Sequence, residues 1–210
     1  LCEVLYNSAR PGRKMMVRRL SPKQKLFKAI EDNDLDAANA VLARSKHPEK
    51  LFCSFNSDGE TPLHAACWNE RFEIAAVLLN AGAEIDVWDE YGQTSLHDAC
   101  RNGLPSAVRF LLQHGAGLYE RDNALLCATT PIDLALREYN WEGNTNGRQI
   151  YIEILEAFFE AAPEETFNEV LSMPDDNPGK QILLDWFQQF APELYFSAFC
   201  TTNTSPGGGL

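Results

Sequence analysis

Asp58-Gly59-Glu60-Thr61-Pro62-Leu63-His64-Ala65-Ala66 returns 33 residues later as Tyr91-Gly92-Gln93-Thr94-Ser95-Leu96-His97-Asp98-Ala99. A second block keeps the same step. Val77-Leu78-Leu79-Asn80-Ala81-Gly82-Ala83 is matched by Phe110-Leu111-Leu112-Gln113-His114-Gly115-Ala116. Two blocks repeating at one fixed period mark a stacked array of small units. Such arrays are quasi-one-dimensional and present extended binding surfaces.

Each block has a local physical reading. Gly59 and Gly92 supply the positive φ that a tight turn needs. Thr61 and Thr94 suit a helix N-cap, and Pro62 then suits the first helical position. Leu63, Ala66 and Cys67 share one face of a short helix, and Ile74, Val77 and Leu78 share a face of the next. Small residues at Ala65, Ala66, Ala75 and Ala99 let neighbouring helices approach closely. One such unit is too small to bury its apolar face alone, so stacking must supply the core.

The period and the G-x-T-[PS]-L-H-x-A block resemble the ankyrin repeat. Two regular units span about 56–88 and 89–121. A weaker unit follows at Thr130-Pro131-Ile132-Asp133-Leu134-Ala135, its proline 36 residues after Ser95. A degenerate unit precedes them: Leu26, Ala29, Leu35, Ala37, Val41 and Leu42 fall 37 residues before Leu63, Ala66, Phe72, Ile74, Leu78 and Leu79. The resemblance covers about 22–162 and implies an all-α solenoid of about four helix-pair units with short hairpin loops.

Beyond the array, Pro163 ends the repeat signal. Two or three helices are predicted, at about 164–172, 179–190 and 192–199, with Ile182, Leu183, Trp186, Phe187 and Phe190 forming one apolar stripe. They read as a C-terminal cap over residues 163–199, and 200–210 reads as a disordered tail. Residues 1–21 read as a flexible basic arm, with Ser21 as cap of the first helix. A polar loop at 141–147 lengthens the turn inside the fourth unit.

Net charge is −12 at pH 7, and it is divided unevenly. Residues 1–28 hold eight basic residues and one acid, while residues 29–210 hold ten basic and 29 acidic residues, giving +7 and −19. The acidic body repels nucleic acid and favours basic protein partners; only the basic arm suits nucleic acid. No apolar run approaches the 18 or so residues of a membrane span. Six cysteines stand at 2, 53, 67, 100, 127 and 200, with no C-x-x-C. Cys67 and Cys100 occupy equivalent positions of neighbouring units. Packed helices lie about 8–10 Å apart, whereas a disulfide wants Cα atoms within about 7 Å, so both read as small buried hydrophobes. That points to a reducing compartment, cytoplasmic or nuclear. The sequon at Asn203 then reads as accidental. The chain opens at Leu1 and not at methionine, which fits a piece of a longer protein and leaves a missing targeting signal with little weight.

No enzyme motif emerges. His64 and His97 open short helices and read as hydrogen-bonded turn residues, and no further ligands are spaced for a metal. No glycine loop cradles a phosphate, and no nucleophile stands beside a base. No cofactor is expected. The resemblance implies instead a concave binding face of hairpin tips and first helices. It carries over to Ser57, Asp58, Glu60, Ala65, Trp68 and Asn69 in one unit. In the next it gives Glu90, Tyr91, Gln93, Asp98, Arg101 and Asn102, and in the fourth Thr129, Leu134, Arg137 and Glu138. Trp68 and Tyr91 are of the types that anchor interfaces. Glu84, Asp86, Asp89 and Glu90 crowd about Trp88, an acidic and aromatic finger suited to Arg or Lys. A second resemblance, to histone-tail-reading nuclear proteins, fails where Gln93 and Asp98 replace its Trp and Glu. Arg18-Arg19-Leu20-Ser21-Pro22 fits a basophilic kinase site at Ser21. The expected activity is protein–protein interaction with a basic segment; the alternative is a recruiting arm of a larger enzyme whose catalytic domain lies elsewhere.

Overall fold

The computed structural model describes residues 2–3, 18–118, 120–122, 129–140, 148–172, 178–190 and 192–193. The core of the arm (4–17), the 141–147 loop, the 194–210 tail and the greater part of the lengthened hairpin before Thr130 lie outside these residues.

The chain forms helix pairs. The first is α1 (Pro22–Glu31) and α2 (Leu35–Arg44), followed by the short α3 (Pro48–Phe52). The two regular units are α4 (Pro62–Trp68) with α5 (Phe72–Asn80), and α6 (Ser95–Arg101) with α7 (Pro105–Gln113). The fourth unit is α8 (Pro131–Asn140) with α9 (Arg148–Ala161). Then come α10 (Pro163–Ser172) and α11 (Pro178–Phe190). Outside the helices, β1 (Cys2–Glu3) and β2 (Arg18–Arg19) make a two-residue antiparallel ladder in the arm, which contributes no layer to the fold.

The local signals act as their chemistry dictates. Ser21 Oγ accepts the Gln24 N–H at 3.2 Å while Gln24 Oε1 accepts the Ser21 N–H at 3.0 Å, a reciprocal capping box. Asp34 caps α2 by accepting the Ala37 N–H at 2.8 Å. Gly59 and Gly92 take φ of 81° and 78°. At Gly59 the turn is also crowded. An added Cβ would meet the Glu90 and Tyr91 side chains at 3.0 Å, so this hairpin tip rests against the next. The turn inside the first three helix pairs repeats a left-handed residue at Asn33, Glu70 and Gly103. Asn33 lies 37 residues before Glu70, the same offset as the side-chain matches, so the first unit keeps the repeat's backbone after losing its Thr-Pro-Leu-His turn.

Stacking produces two rows. The first helices form one, α1–α4–α6–α8, and the second helices the other, with α2 on α5 and α7 on α9. Leu26, Ile30, Leu63, Ile74, Leu78, Leu96, Leu111 and Ile154 are buried in one continuous core. Phe72 and Phe110 stack at 5.1 Å, one aromatic contact linking consecutive outer helices.

The C-terminal helices extend both rows in inverted order. A one-residue link at Ala162 leads α9 into α10, which packs on α9; α11 then returns to lie on α8. Val170, Leu183 and Phe187 are buried there. Phe159 meets Trp186 and Phe187 edge-on at 5.0 and 5.3 Å. Residues 192–193 are helical, and the remainder of the third helix expected there lies outside the described residues.

Candidate protein-binding face

The face that holds the candidate residues is set by the turn chemistry beneath it. Thr61 Oγ1 meets His64 Nδ1 at 2.7 Å, and His64 Nε2 meets the Gln93 carbonyl of the next unit at 3.0 Å. A carbonyl only accepts, so Nε2 carries the hydrogen and Nδ1 accepts the threonine hydroxyl. One unit on, Thr94 and His97 do the same, with His97 Nε2 reaching the Thr129 carbonyl at 3.1 Å. Burial pushes both imidazoles below their ordinary value and keeps them neutral. In the fourth unit Asp133 takes the histidine's place and accepts the Thr130 N–H and hydroxyl at 3.1 and 2.9 Å.

The hairpins are held by a side chain that recurs every 33 residues. Asn56 Oδ1 accepts the Asp58 and Glu60 N–H groups, each at 2.9 Å. Asp89 Oδ1 accepts those of Tyr91 and Gln93, each at 2.8 Å. Asp122 accepts the Thr129 N–H at 2.9 Å and its hydroxyl at 2.7 Å. Asp86 adds a bond to the Gly117 N–H at 3.0 Å, tying one hairpin to the next.

This corrects one expectation. Asp89, expected in the acidic finger about Trp88 that would take Arg or Lys, is 7% exposed and shapes its own hairpin. Ala65, Gln93 and Leu134 are likewise buried and do not present side chains to a partner. Asn69 and Asn102 end α4 and α6, their Nδ2 groups donating to the Ala65 and Asp98 carbonyls at 2.8 Å. They terminate helices before they can recognise anything.

The remaining candidates are open. Trp68 is 49% exposed, Trp88 47% and Tyr91 69%. Ser57, Asp58, Glu90, Arg101 and Arg137 are exposed; Glu60, Asp98, Thr129 and Glu138 are half-buried. Glu60 accepts the Asn56 amide at 2.9 Å. Tyr91 and Glu90 lie against Gly59 of the preceding hairpin, and the Glu90 N–H donates to the Gly59 carbonyl at 2.9 Å, so the tip is braced. Glu84 is exposed and Asp86 half-buried beside Trp88. Ser21, the candidate modification site, is exposed.

His64, Asp89 and Asp98 bring one ligand atom each within 4.8 Å of one another. The donor chemistry does not suit a metal: both His64 nitrogens are spent, one lone pair on the Thr61 hydroxyl and one hydrogen on the Gln93 carbonyl. Asp98 is the unusual member. Burial, then the neighbouring Asp89 carboxylate, pushes its carboxyl up to about 6, opposed by Arg101. Cys53, Cys67 and Cys100 are free thiols. Burial raises the Cys67 thiol to about 12 and that of Cys100 well above its usual value, so neither is a nucleophile. No helix among the described residues is long and apolar enough to cross a membrane.

A model of ankyrin repeats, in three copies, matches residues 26–122. The chain is 30% identical over 138 residues to protein phosphatase 1 regulatory subunit 27 of Mus musculus, which covers 59% of this chain and 88% of that protein. It is 39% identical over 79 residues to NF-kappa-B inhibitor alpha of Gallus gallus, covering 37% of this chain and 25% of the inhibitor. A probable E3 ubiquitin-protein ligase of Oryza sativa subsp. japonica is 32% identical over 99 residues, 47% of this chain and 20% of the ligase. The chain thus spans a minor part of the last two proteins.

Proposed function

This chain belongs to the ankyrin-repeat family, whose members bind proteins, and on that premise we propose that it is a non-enzymatic interaction module whose acidic face takes a basic, Arg- or Lys-bearing segment of a partner. The observation that carries this reading is the exposure of Trp68, Trp88 and Tyr91 on a body of net charge −19. Large exposed aromatics supply contact area and cation–π attraction. Surrounding carboxylates steer a cationic partner toward them. Two of the relatives are by name an inhibitor and a regulatory subunit, which fits a regulator acting through contact. The free thiols support a reducing, intracellular setting, cytoplasmic or nuclear.

We place the array at 22–162, with 163–199 as its cap, flanked by the basic arm at 1–21 and the tail at 200–210. Ser21 stays in this reading as a kinase site, since it is exposed beside Arg18-Arg19. A second reading has one specific support. The similarity to part of a probable E3 ligase fits an array that recruits substrate for an enzyme domain outside this chain.

A binding titration against a basic peptide, run at two salt concentrations with circular dichroism on each variant, tests the first reading. Trp68→Ala or Tyr91→Ala is expected to cost about 1–3 kcal/mol of affinity without unfolding. Glu90→Ser is expected to slow association, more so at low salt, because exposed charges act over a screened distance. Asp89 is excluded from this set because it holds the hairpin. Salt-independent binding that ignores all three substitutions would move the partner site off this face.

A further inference from the structure

We propose that Asp98 and Asp89 form a carboxyl pair that takes up one proton in mildly acidic solution, and that a cationic side chain of the partner drives this proton off as it binds. The proposal rests on the acidic face being the binding face, and it assigns to that face a built-in response to pH.

The geometry is specific to one unit. Asp98 stands 33 residues after Ala65, so the preceding unit has a buried methyl where this one has a carboxyl. An Asp98 oxygen and an Asp89 oxygen lie within 4.8 Å, with the His64 ring equally near. His64, from α4, is neutral and lends no positive charge, since its hydrogen and lone pair are committed to Gln93 and Thr61. Glu60 adds a like charge from the other hairpin. Arg101, on α6 itself, is the opposing cation, and it is exposed and solvated. α7 and α8 also pack on α6 and add no charge that acts on Asp98 among the described residues.

Two carboxylates this close, one of them buried, disfavour double ionisation. Burial first, and then the neighbouring Asp89 charge, raises the Asp98 carboxyl to about 6. A guanidinium or ammonium placed against it would favour the carboxylate and expel the proton to solvent. Linkage then requires the reverse: protons weaken the cation's binding. The pair would therefore hold a basic partner near neutral pH and relax its grip below about pH 6.

The first test needs no partner. In protein carrying 13C-labelled aspartate, the Asp98 carboxyl carbon is expected to titrate near pH 6. It should move part of the way toward the ordinary carboxylate range in Asp89→Asn, a change that keeps an oxygen for the two hairpin N–H groups and leaves the burial in place. An Asp98 that titrates with the other aspartates in the wild-type protein would overturn the pair. The second test is calorimetry with an octa-arginine peptide at pH 6 in two buffers of different ionisation enthalpy. Release of up to about half a proton is expected, together with roughly fourfold weaker binding at pH 5.5 than at pH 7.5. Asp98→Asn should abolish both the release and the pH dependence. Binding that releases no proton from a protein whose Asp98 titrates near 6 would overturn the displacement step alone. A peptide that does not bind at all would overturn the acidic-face reading and the displacement with it, while the carboxyl titration stands or falls by itself.

Discussion

Each of the two turn histidines joins one unit to the next because a neutral imidazole has one donor and one acceptor. The threonine before it uses the acceptor, and the next unit's carbonyl uses the donor. Position 95 departs from the local pattern. Ser95 stands where the preceding unit has Pro62, and its hydroxyl is buried with no hydrogen-bond partner. Thr94 before it is extended, at φ −88° and ψ 162°, which a following proline accepts. The first helical position needs no N–H. Ser95→Pro is therefore expected to stabilise the protein by about 0.4–1 kcal/mol through the unfolded chain, with a further gain from removing an unpaired hydroxyl. Urea denaturation measures it; a loss of stability would show that the hydroxyl is satisfied in solution. At this scale the sequence was nearly readable. Asn56, Asp89 and Asp122 lie 33 apart, and all three are residue types that bond backbone N–H groups two residues on. That spacing was the signal that Asp89 belongs to the hairpin. Its grouping with other acids around Trp88 obscured it, because composition alone does not separate a bonded carboxylate from a solvated one.

At the scale of elements, side-chain caps mark where α1, α2 and α6 begin. The box at Ser21 gives α1 a start that is written in the chain as Ser-Pro-x-Gln. Ser21→Ala removes the oxygen that accepts the Gln24 N–H and is expected to destabilise by about 1 kcal/mol. Thermal or urea melts followed by circular dichroism would read the loss. An unchanged midpoint would mean that α1 frays without consequence for the array. The short unit helices were legible because threonine, proline and apolar spacing agree on them. The inverted placement of α10 and α11 was not. Their amphipathic stripes announce helices, but a stripe names a buried face without naming what it is buried against. The short link at Ala162 forces α10 onto α9, and that local constraint sends α11 to α8.

Across the whole molecule, stability in a stacked array is a sum of unit and neighbour terms, so an end left bare weakens everything behind it. Removing residues 163–199 would strip Trp186 and Phe187 from Phe159 and lay bare the surface of α8 and α9. The truncated protein is expected to melt roughly 5 °C or more below the parent and to lose solubility, measured by calorimetry and sedimentation. Equal stability and solubility would mean that α10 and α11 are passengers and not a cap. The same scale carries the electrostatics: a −19 body with a +7 leading segment, whose division is visible in the sequence and whose relation to the aromatics is not.

The sequence by itself determined the array, because period, turn residues and apolar spacing are local and repeat with every unit. It also determined the uneven division of charge, +7 before residue 29 and −19 after it. Only the tertiary structure decided which of the candidate residues reach solvent. Ala65, Asp89, Gln93 and Leu134 are turned inward, while Trp68, Trp88 and Tyr91 are left open. It alone brought the carboxyl of Asp98 beside that of Asp89. Burial depends on how neighbouring units close over one another, and the approach of the two carboxyls on how a hairpin folds back onto the first helix of its own unit; local spacing encodes neither distance.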